Sequence, residues 1–190
     1  MVLSTLWCGF LTDNLLQELK DTIGTVPDFP MEGILFRDIT PVLSNSSLLK
    51  ELMNRIVKDI ENLNWAPDVI VGPEARGFIF GPLLSTRLKN SFVPVRKPGK
   101  LPFETIKIDY TLEYGNDSLE IHKDAVSPGQ KVLIIDDLLA TGGTVSACIE
   151  LCQKMGADVI GVVFIIELEG LGARELLGDI PIPVSYTHLR

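Results

Sequence analysis

The sequence has few of the residues on which metal and disulfide proteins depend. Only three of its 190 residues are cysteine and two are histidine. An odd number of cysteines argues against a disulfide framework and indicates a reducing compartment. Cys148 and Cys152 lie one helical turn apart, and no third and fourth ligand are spaced nearby. We therefore interpret them as buried thiols on one helix face. We interpret His122 as structural and His188 as a solvated tail residue.

Positive charge is also scarce. The chain has 17 Lys and Arg against 25 Asp and Glu, which gives a net charge of −8. Nucleic-acid binding depends largely on neutralising phosphates, so we expect no nucleic-acid partner. If the ligand is itself anionic, its basic partners must be concentrated locally.

No apolar run is long enough to cross a bilayer. Residues Met1 to Leu11 are apolar, but they are too few to span and no Lys or Arg precedes them. We therefore expect no signal peptide, no membrane anchor and a cytoplasmic location. The length suits one domain over residues 1–190, with an N-terminal extension at 1–12.

Helical and strand patterns alternate along the chain. This alternation predicts an α/β fold with a mainly parallel sheet covered on both faces, and ligands beyond the carboxyl ends of its strands. The stretch 26–42 contains three prolines and is predicted to be mostly irregular. Helices are predicted near 15–23, 47–63, 75–88 and 142–155, strands near 68–71, 91–95, 118–122, 131–136 and 159–166, and a hairpin or mobile loop at 96–116.

The segment Val132 to Thr144 carries the strongest chemical signal. A buried strand ends in two acids, and a turn of small residues opens a helix. The turn offers backbone N–H groups and two hydroxyls to one phosphate, and the helix N-terminus favours negative charge. The acids suit hydroxyl groups, so the ligand is predicted to be a ribose 5-phosphate. No Lys follows the glycines, and G-x-G-x-x-G is absent, which excludes two common nucleotide loops. The candidates are Asp136, Asp137, Ala140, Thr141, Gly142, Gly143 and Thr144.

This segment resembles the signature of the type I phosphoribosyltransferases that binds 5-phosphoribosyl diphosphate (PRPP). Three further segments narrow the resemblance to the adenine phosphoribosyltransferases: Asp28 to Pro41, Gly72 to Pro82 and Tyr110 to Gly115. The match covers about residues 14 to 180. It implies a central, mainly parallel sheet flanked by helices, with a mobile hairpin lid and a small N-terminal hood.

The resemblance also implies a reaction. Adenine and PRPP would give AMP and pyrophosphate in purine salvage, with Mg²⁺, in a homodimer. Mg²⁺ prefers oxygen ligands and usually keeps waters, so pyrophosphate and ribose hydroxyls could supply most of its shell. We expect no direct protein ligand to the metal, and we expect Asp136 and Asp137 to hold the ribose 2′ and 3′ hydroxyls.

A leaving pyrophosphate carries several negative charges and needs cations. Arg76 begins a predicted helix at the carboxyl end of a strand, and the family uses the matching arginine for pyrophosphate. The densest basic cluster holds Arg96, Lys97 and Lys100, of which the family places Lys100 near pyrophosphate; a solvated basic loop is the alternative. The Glu74–Ala75 peptide is predicted to be cis or strained, so that its backbone N–H is aimed at pyrophosphate.

The hood and the lid supply the remaining candidates. The stretch Leu35, Phe36, Arg37 resembles the family's cover over adenine. Phe36 would stack on or pack against the base while the backbone of its neighbours reads the base edge. The alternative is a Phe that packs on the core. Segment 97–116 is predicted to close over the site before chemistry, because water would hydrolyse activated PRPP.

Glu113 is predicted to be the acid/base residue for the adenine N7 proton. The 6-oxopurine enzymes carry an Asp just before the Thr-Gly of the signature, whereas this chain has Ala140 there. The acid must therefore come from elsewhere, and Glu113 lies in the family's matching Leu-Glu-Tyr-Gly context on the lid. An exposed glutamate on a flexible hairpin is the alternative.

Two further interpretations stay open. A 6-oxopurine phosphoribosyltransferase is disfavoured by Ala140. A non-catalytic PRPP-sensing regulator on the same fold would need a DNA-binding domain, and only 27 residues precede Asp28. The sequence departs from the family after Pro183, where residues 184–190 replace the usual aromatic and hydrophobic last strand with an atypical tail.

Overall fold

The structure is a computed structural model that describes residues 13–112 and 115–189. The predicted N-terminal extension at 1–12 and the candidate acid Glu113 lie outside the described residues. In chain order the elements are α1 (Asp13–Thr22), β1 (Gly24–Pro27), β2 (Leu35–Asp38), α2 (Thr40–Ser44), α3 (Ser46–Asn62), β3 (Val69–Pro73), α4 (Gly77–Leu88), β4 (Ser91–Val95), β5 (Thr105–Leu112), β6 (Gly115–His122), β7 (Lys131–Leu139), α5 (Gly143–Lys154), β8 (Asp158–Glu169), α6 (Ala173–Leu177) and β9 (Val184–Leu189).

A five-stranded parallel sheet forms the centre of the molecule. Its strand order is β4-β3-β7-β8-β9, and every neighbouring pair is parallel. All five carboxyl ends therefore lie at one edge of the sheet, where ligands bind in such folds. The predicted mainly parallel α/β fold is confirmed.

Two apolar cores cover the two faces of this sheet. In β7, Val132 and Ile134 face one core while Leu133 and Ile135 face the other, so the strand is buried on both sides. Full burial of each such side chain contributes about 1.5–3 kcal/mol. The first core contains α5 and the hairpin β5–β6, and the second contains α1, α3 and α4.

Helix α3 illustrates how the sequence specifies these layers. The Asn45 side chain caps it by accepting a hydrogen bond of 3.1 Å from the N–H of Leu48. Its inward residues recur at helical spacing and are buried, whereas the opposite face is polar. These buried residues are Leu48, Leu52, Met53, Ile56 and Ile60.

The predicted irregular stretch 26–42 is more ordered than the sequence indicates. It contains part of β1, all of β2 and the start of α2, and β1 pairs with β2 in an antiparallel hairpin. The prolines are compatible with this order because Pro27 ends β1 and Pro41 occupies the first turn of α2, where no N–H is needed. The prediction for this stretch was therefore wrong, and the segment forms the hood.

Some predicted strands extend further than expected, and the strand at the end of the sheet was not predicted. Strand β7 does not end at Asp136 but continues to Leu139, which pairs with Glu167 of β8. The tail beyond Pro183, for which no strand was predicted, forms β9 on the edge of the sheet. Residues 184–189 have no strong strand pattern, and pairing with β8 determines their structure.

Other elements match their predictions closely. Strand β4 spans the predicted residues 91–95, and the region after it folds into the hairpin β5–β6. Helix α5 buries Cys148 and Cys152, which are free thiols, as the sequence predicted. Burial raises the pKa of Cys152 to about 12, so this thiol stays protonated. Among the described residues, no helix combines the length and apolar character that a membrane span requires.

Candidate active site

A pocket of about 270 Å³ lies at the carboxyl ends of β3 and β7. The turn after each strand lines it, with Phe164 of β8 below. It brings together residues that are about 60 positions apart in the sequence. The carboxyl edge of a parallel sheet is the usual location of a ligand. The predicted site residues in its lining are Glu74, Ala75, Arg76, Asp136, Asp137, Ala140, Thr141, Gly142, Gly143 and Thr144.

The β7–α5 turn supplies backbone donors at the N-terminus of α5. Gly142 is the N-cap of this helix, with a left-handed φ of 86°. A Cβ atom there would approach Ala173 of α6 to 3.3 Å, so a glycine fits for reasons of both conformation and space. The free N–H groups of the first helical turn and the helix dipole together suit an anion.

The two acids of β7 are held differently. The Asp136 carboxylate accepts a hydrogen bond of 2.9 Å from the Asp137 N–H and is partly exposed in the pocket. The Asp137 residue is only 2% exposed, and its carboxylate lies 2.9 Å from Nε of Arg76. Desolvation, followed by the neighbouring charge of Asp137, raises the pKa of Asp136 well above its usual value.

Arg76 connects this acid pair to the hood. It follows β3 and is the N-cap residue of α4. Its guanidinium pairs with Asp137 and lies 5.8 Å from the centroid of the Phe36 ring. A cation this close to an aromatic face is attracted to it. One side chain therefore contacts both the end of β7 and the hood.

The Glu74 carboxylate binds the basic residues of the loop that follows β4. Its carboxylate accepts hydrogen bonds from Nε of Arg96 at 3.0 Å, Nζ of Lys100 at 3.3 Å and the N–H of Lys97 at 3.1 Å. The Glu74–Ala75 peptide is cis, as predicted. The predicted pyrophosphate residues therefore meet at the end of β3, although Arg96 and Lys100 reach the pocket wall through Glu74.

The hood places Phe36 beside Arg76 and not within either core. The Phe29 and Phe36 rings pack edge to face with centroids 5.1 Å apart. Leu35 is 43% exposed, and the Arg37 guanidinium donates to the Thr25 hydroxyl at 2.5 Å. The alternative in which Phe36 packs on the core is therefore wrong, and the ring is placed next to the pocket.

Comparison with known proteins identifies the family. The family model for the phosphoribosyl transferase domain matches residues 40–175. Adenine phosphoribosyltransferase from Lachnoclostridium phytofermentans is 49% identical over 173 residues, covering 90% of this chain and 98% of that protein. Adenine phosphoribosyltransferase from Francisella philomiragia is 54% identical over 162 residues, covering 85% and 93%. The chain belongs to the adenine phosphoribosyltransferase family.

Solved structures of this family have the same fold. The crystal structure of adenine phosphoribosyltransferase from Thermoanaerobacter pseudethanolicus superposes with a TM-score of 0.88 at 48% identity, covering 91% of this chain and 99% of that one. The Saccharomyces cerevisiae enzyme, complexed with an imino-altritol bisphosphate and adenine, gives 0.86 at 41% identity, covering 90% and 98%. The type I phosphoribosyltransferase fold predicted from the sequence is confirmed.

Some contacts at the base of the hairpin β5–β6 were not predicted. Lys97 does not point free into solvent but pairs with Asp117 of β6, whose carboxylate also accepts from the Tyr110 hydroxyl at 3.3 Å. Tyr110 and Asp117 are register partners in the hairpin, so knowledge of the register would have indicated this contact. The candidate Glu113 lies outside the described residues, between the paired Leu112 and Gly115.

An ion pair between a buried glutamate and a half-exposed arginine near the end of β8 was also missed. Arg174 of α6 donates to both carboxylate oxygens of Glu167 at 2.6 and 2.7 Å, and Glu167 is 5% exposed. This pair holds α6, whose Ala173 lies against Gly142, so it supports the β7–α5 turn. Nothing in the sequence pattern distinguishes these two residues from solvated charges. The His122 ring lies 5.8 Å from that of Phe103, and its structural role stays a prediction. The His188 side chain lies outside the described residues.

Proposed function

We propose that this chain transfers the phosphoribosyl group of PRPP to adenine and so forms AMP and pyrophosphate in purine salvage. The observation that supports this most strongly is one pocket that combines an anion-binding helix turn with the Arg76 end of β3. The first suits a monophosphate and the second a leaving diphosphate.

The 5′-phosphate would bind at the β7–α5 turn. The backbone N–H groups from Ala140 to Thr144 and the hydroxyls of Thr141 and Thr144 are its donors. Asp136 would accept from a ribose hydroxyl. Asp137 would contribute to the ribose site with the carboxylate oxygen that does not face Arg76.

The reacting carbon is the anomeric C1 of PRPP. Its bond to the diphosphate oxygen breaks as the purine nitrogen N9 forms a bond to it, through an oxocarbenium-like state. Negative charge develops on the departing pyrophosphate. Arg76, Arg96, Lys100 and the Ala75 N–H are the groups placed to stabilise that charge.

Adenine would lie under the hood. Phe36 beside the pocket offers an aromatic face or edge, and the backbone at Leu35 and Arg37 would read the edge of the base. The Glu113 carboxylate would accept the proton from adenine N7 as N9 forms its bond to C1. Lid closure would desolvate this carboxylate and raise its pKa toward the working pH, which favours proton transfer.

The proposed Mg²⁺ would be held mainly by oxygens of the substrate. Among the described residues, no three His, Cys, Asp or Glu side chains come together to hold a metal ion. The oxygen-rich pocket suits Mg²⁺ carried on the diphosphate and ribose oxygens, near Asp136. When bound, the ion would neutralise part of the charge of the leaving pyrophosphate.

The chain is proposed to act as one domain, in a cytoplasmic homodimer. The scarcity of cysteine supports a reducing compartment. The dimer is what the resemblance to the family implies. A solution mass of twice 20.9 kDa would agree with the dimer, and a monomer mass would contradict it.

The function is tested by offering three purines to the purified protein. With PRPP and Mg²⁺, adenine should give AMP, whereas hypoxanthine and guanine should give product at least about 100-fold more slowly, as a site that pairs with the base edge requires. Faster turnover of hypoxanthine or guanine would identify a 6-oxopurine enzyme. Binding of PRPP without turnover of any base would identify a sensor.

A further inference from the structure

The basic turn, residues 96–100, is held between two carboxylates. On one side Glu74 accepts from Arg96, Lys97 and Lys100 at 3.0 to 3.3 Å. On the other side Glu120 of β6 accepts from the Gly99 N–H at 3.2 Å. The turn therefore has anchors on both the central sheet and the lid hairpin.

Glu74 is fixed in position by the sheet. It follows the last residue of β3, and its N–H donates to the Val95 carbonyl at 2.9 Å, which extends the pairing of β3 with β4. Its side chain is 12% exposed. Desolvation raises the pKa of this carboxyl, but hydrogen bonds from the Lys97 N–H, Arg96 and Lys100 together lower it below its usual value. Glu74 is therefore an anion at neutral pH.

The basic side chains keep donors beyond those that Glu74 uses. Arg96 contacts Glu74 through Nε, and its guanidinium lies 5.7 Å from the centroid of the Phe78 ring. Lys100 contacts Glu74 with one of three ammonium donors and is 51% exposed. Each can therefore donate to a second anion without leaving Glu74.

A carboxylate in the wall of a pyrophosphate site weakens binding unless nearby cations compensate its negative charge. Glu74 lines the pocket next to Ala75 and Arg76, and a bare charge there would repel a diphosphate. Here the charge is compensated by two cations, and it fixes side chains that would otherwise sample many rotamers.

We propose that Glu74 is a positioning residue for the pyrophosphate site. It does not itself contact pyrophosphate, in contrast to the sequence-based assignment, but holds Arg96 and Lys100 at the pocket so that their remaining N–H groups bind the diphosphate. The inference rests on the proposed function, since it assigns the pocket to PRPP.

The test compares Glu74→Gln with a matched control. Calorimetry of pyrophosphate binding, with Mg²⁺ present, should show about tenfold weaker affinity for Glu74→Gln, the loss typical of one charge-assisted contact. The KM for PRPP should rise similarly, while AMP affinity and the KM for adenine should stay within about twofold. The control is Glu150→Gln, which removes a surface glutamate paired with Lys154 on α5 and should change none of these values.

Three results would overturn the assignment. Tighter pyrophosphate binding by Glu74→Gln would mean that Glu74 competes with the ligand. Unchanged binding would mean that the cations need no anchor. Equal losses of AMP and adenine binding would indicate a general structural defect. If Glu74→Gln does not fold, Glu74→Asp keeps the charge but shortens its reach, and about threefold weaker pyrophosphate binding is expected; an unchanged value would also overturn the proposal.

These outcomes are separable from a failure of the proposed function. A wild-type protein that binds pyrophosphate but makes no AMP from adenine and PRPP would refute the function and leave the role of Glu74 testable by calorimetry. A wild-type protein that makes AMP, with Glu74→Gln binding pyrophosphate normally, would refute the role of Glu74 alone.

Discussion

The turn from Asp136 to Thr144, proposed to bind the 5′-phosphate and called the phosphate turn, borders the same site as the basic turn, but the two are built in different ways. The β7–α5 turn presents backbone groups, and Gly142 lies against Ala173 of α6. The basic turn presents long side chains, held by ion pairs in which Arg96 is 33% and Lys100 51% exposed. We propose that the first is a preformed anion site and the second an adjustable one. The 5′-phosphate stays on the ribose during the reaction, so a preformed site would suit it. The pyrophosphate leaves, so an adjustable site would suit it.

The largest effect is expected from the lid. Glu113→Gln should lower kcat by about 10²–10⁴, the usual contribution of a positioned acid or base, while PRPP affinity changes little because the phosphate turn is untouched. Steady-state kinetics and PRPP binding measure the two quantities. Near-normal turnover would remove Glu113 from the mechanism. Glu150→Gln again serves as the control.

Removal of Arg76 should affect stability as well as catalysis. Asp137 is 2% exposed and its observed cation is Arg76. Arg76→Met would leave a buried charge without its partner, which typically costs about 3 kcal/mol. Urea denaturation measures this loss, and adding Asp137→Asn should recover part of it. If the double variant is no more stable than Arg76→Met, the two residues are not coupled in the way the 2.9 Å contact implies.

Two glycines test the contrast between the turns directly. Gly142 and Gly99 have similar left-handed φ values of 86° and 77°, but a Cβ atom meets Ala173 at the first and open space at the second. A non-glycine residue costs about 1–2 kcal/mol at either position. Gly142→Ala should also displace the phosphate turn and weaken AMP binding by about tenfold or more. Gly99→Ala should leave AMP affinity unchanged, and equal effects would contradict a preformed phosphate site.

The smallest effect concerns pH. The pKa of Asp136 is raised well above 3.8 in the folded protein, chiefly by desolvation and then by the charge of Asp137. Above pH 4 the unfolded chain therefore loses this proton more readily than the folded protein does, and stability falls as pH rises through the folded pKa. Asp136→Asn should raise the melting temperature at pH 8 by about 2–4 °C, corresponding to about 1 kcal/mol. The gain should vanish near pH 3.5, and a pH-independent gain would contradict the raised pKa.

The sequence predicted the sheet and the phosphate turn because both depend on local patterns. Buried strands such as Lys131 to Asp136 are continuous apolar runs, and the turn is a compact motif of small residues. The hood hairpin and β9 were not predicted, because their strands are determined by pairing partners. Residues 25 and 37 pair across the hood, and residues 164 and 184 pair across the sheet.

The candidate site shows the same division. Motif positions such as Asp136 and Gly142 were predicted, and they line the pocket. The contacts of Glu74 with Lys100 and of Asp137 with Arg76 join residues that are 26 and 61 positions apart. Such pairings follow from the strand order, which a single sequence does not reveal.

Hydrogen exchange on PRPP binding tests the contrast between a preformed turn and a closing lid most directly. Exchange should slow strongly across the segment 97–116 when PRPP and Mg²⁺ bind. The turn from Asp136 to Thr144 should already be comparatively protected without ligand and change less. Unchanged exchange at 97–116, together with strong new protection at 136–144, would contradict the account, because the turn would then be the part that forms on binding.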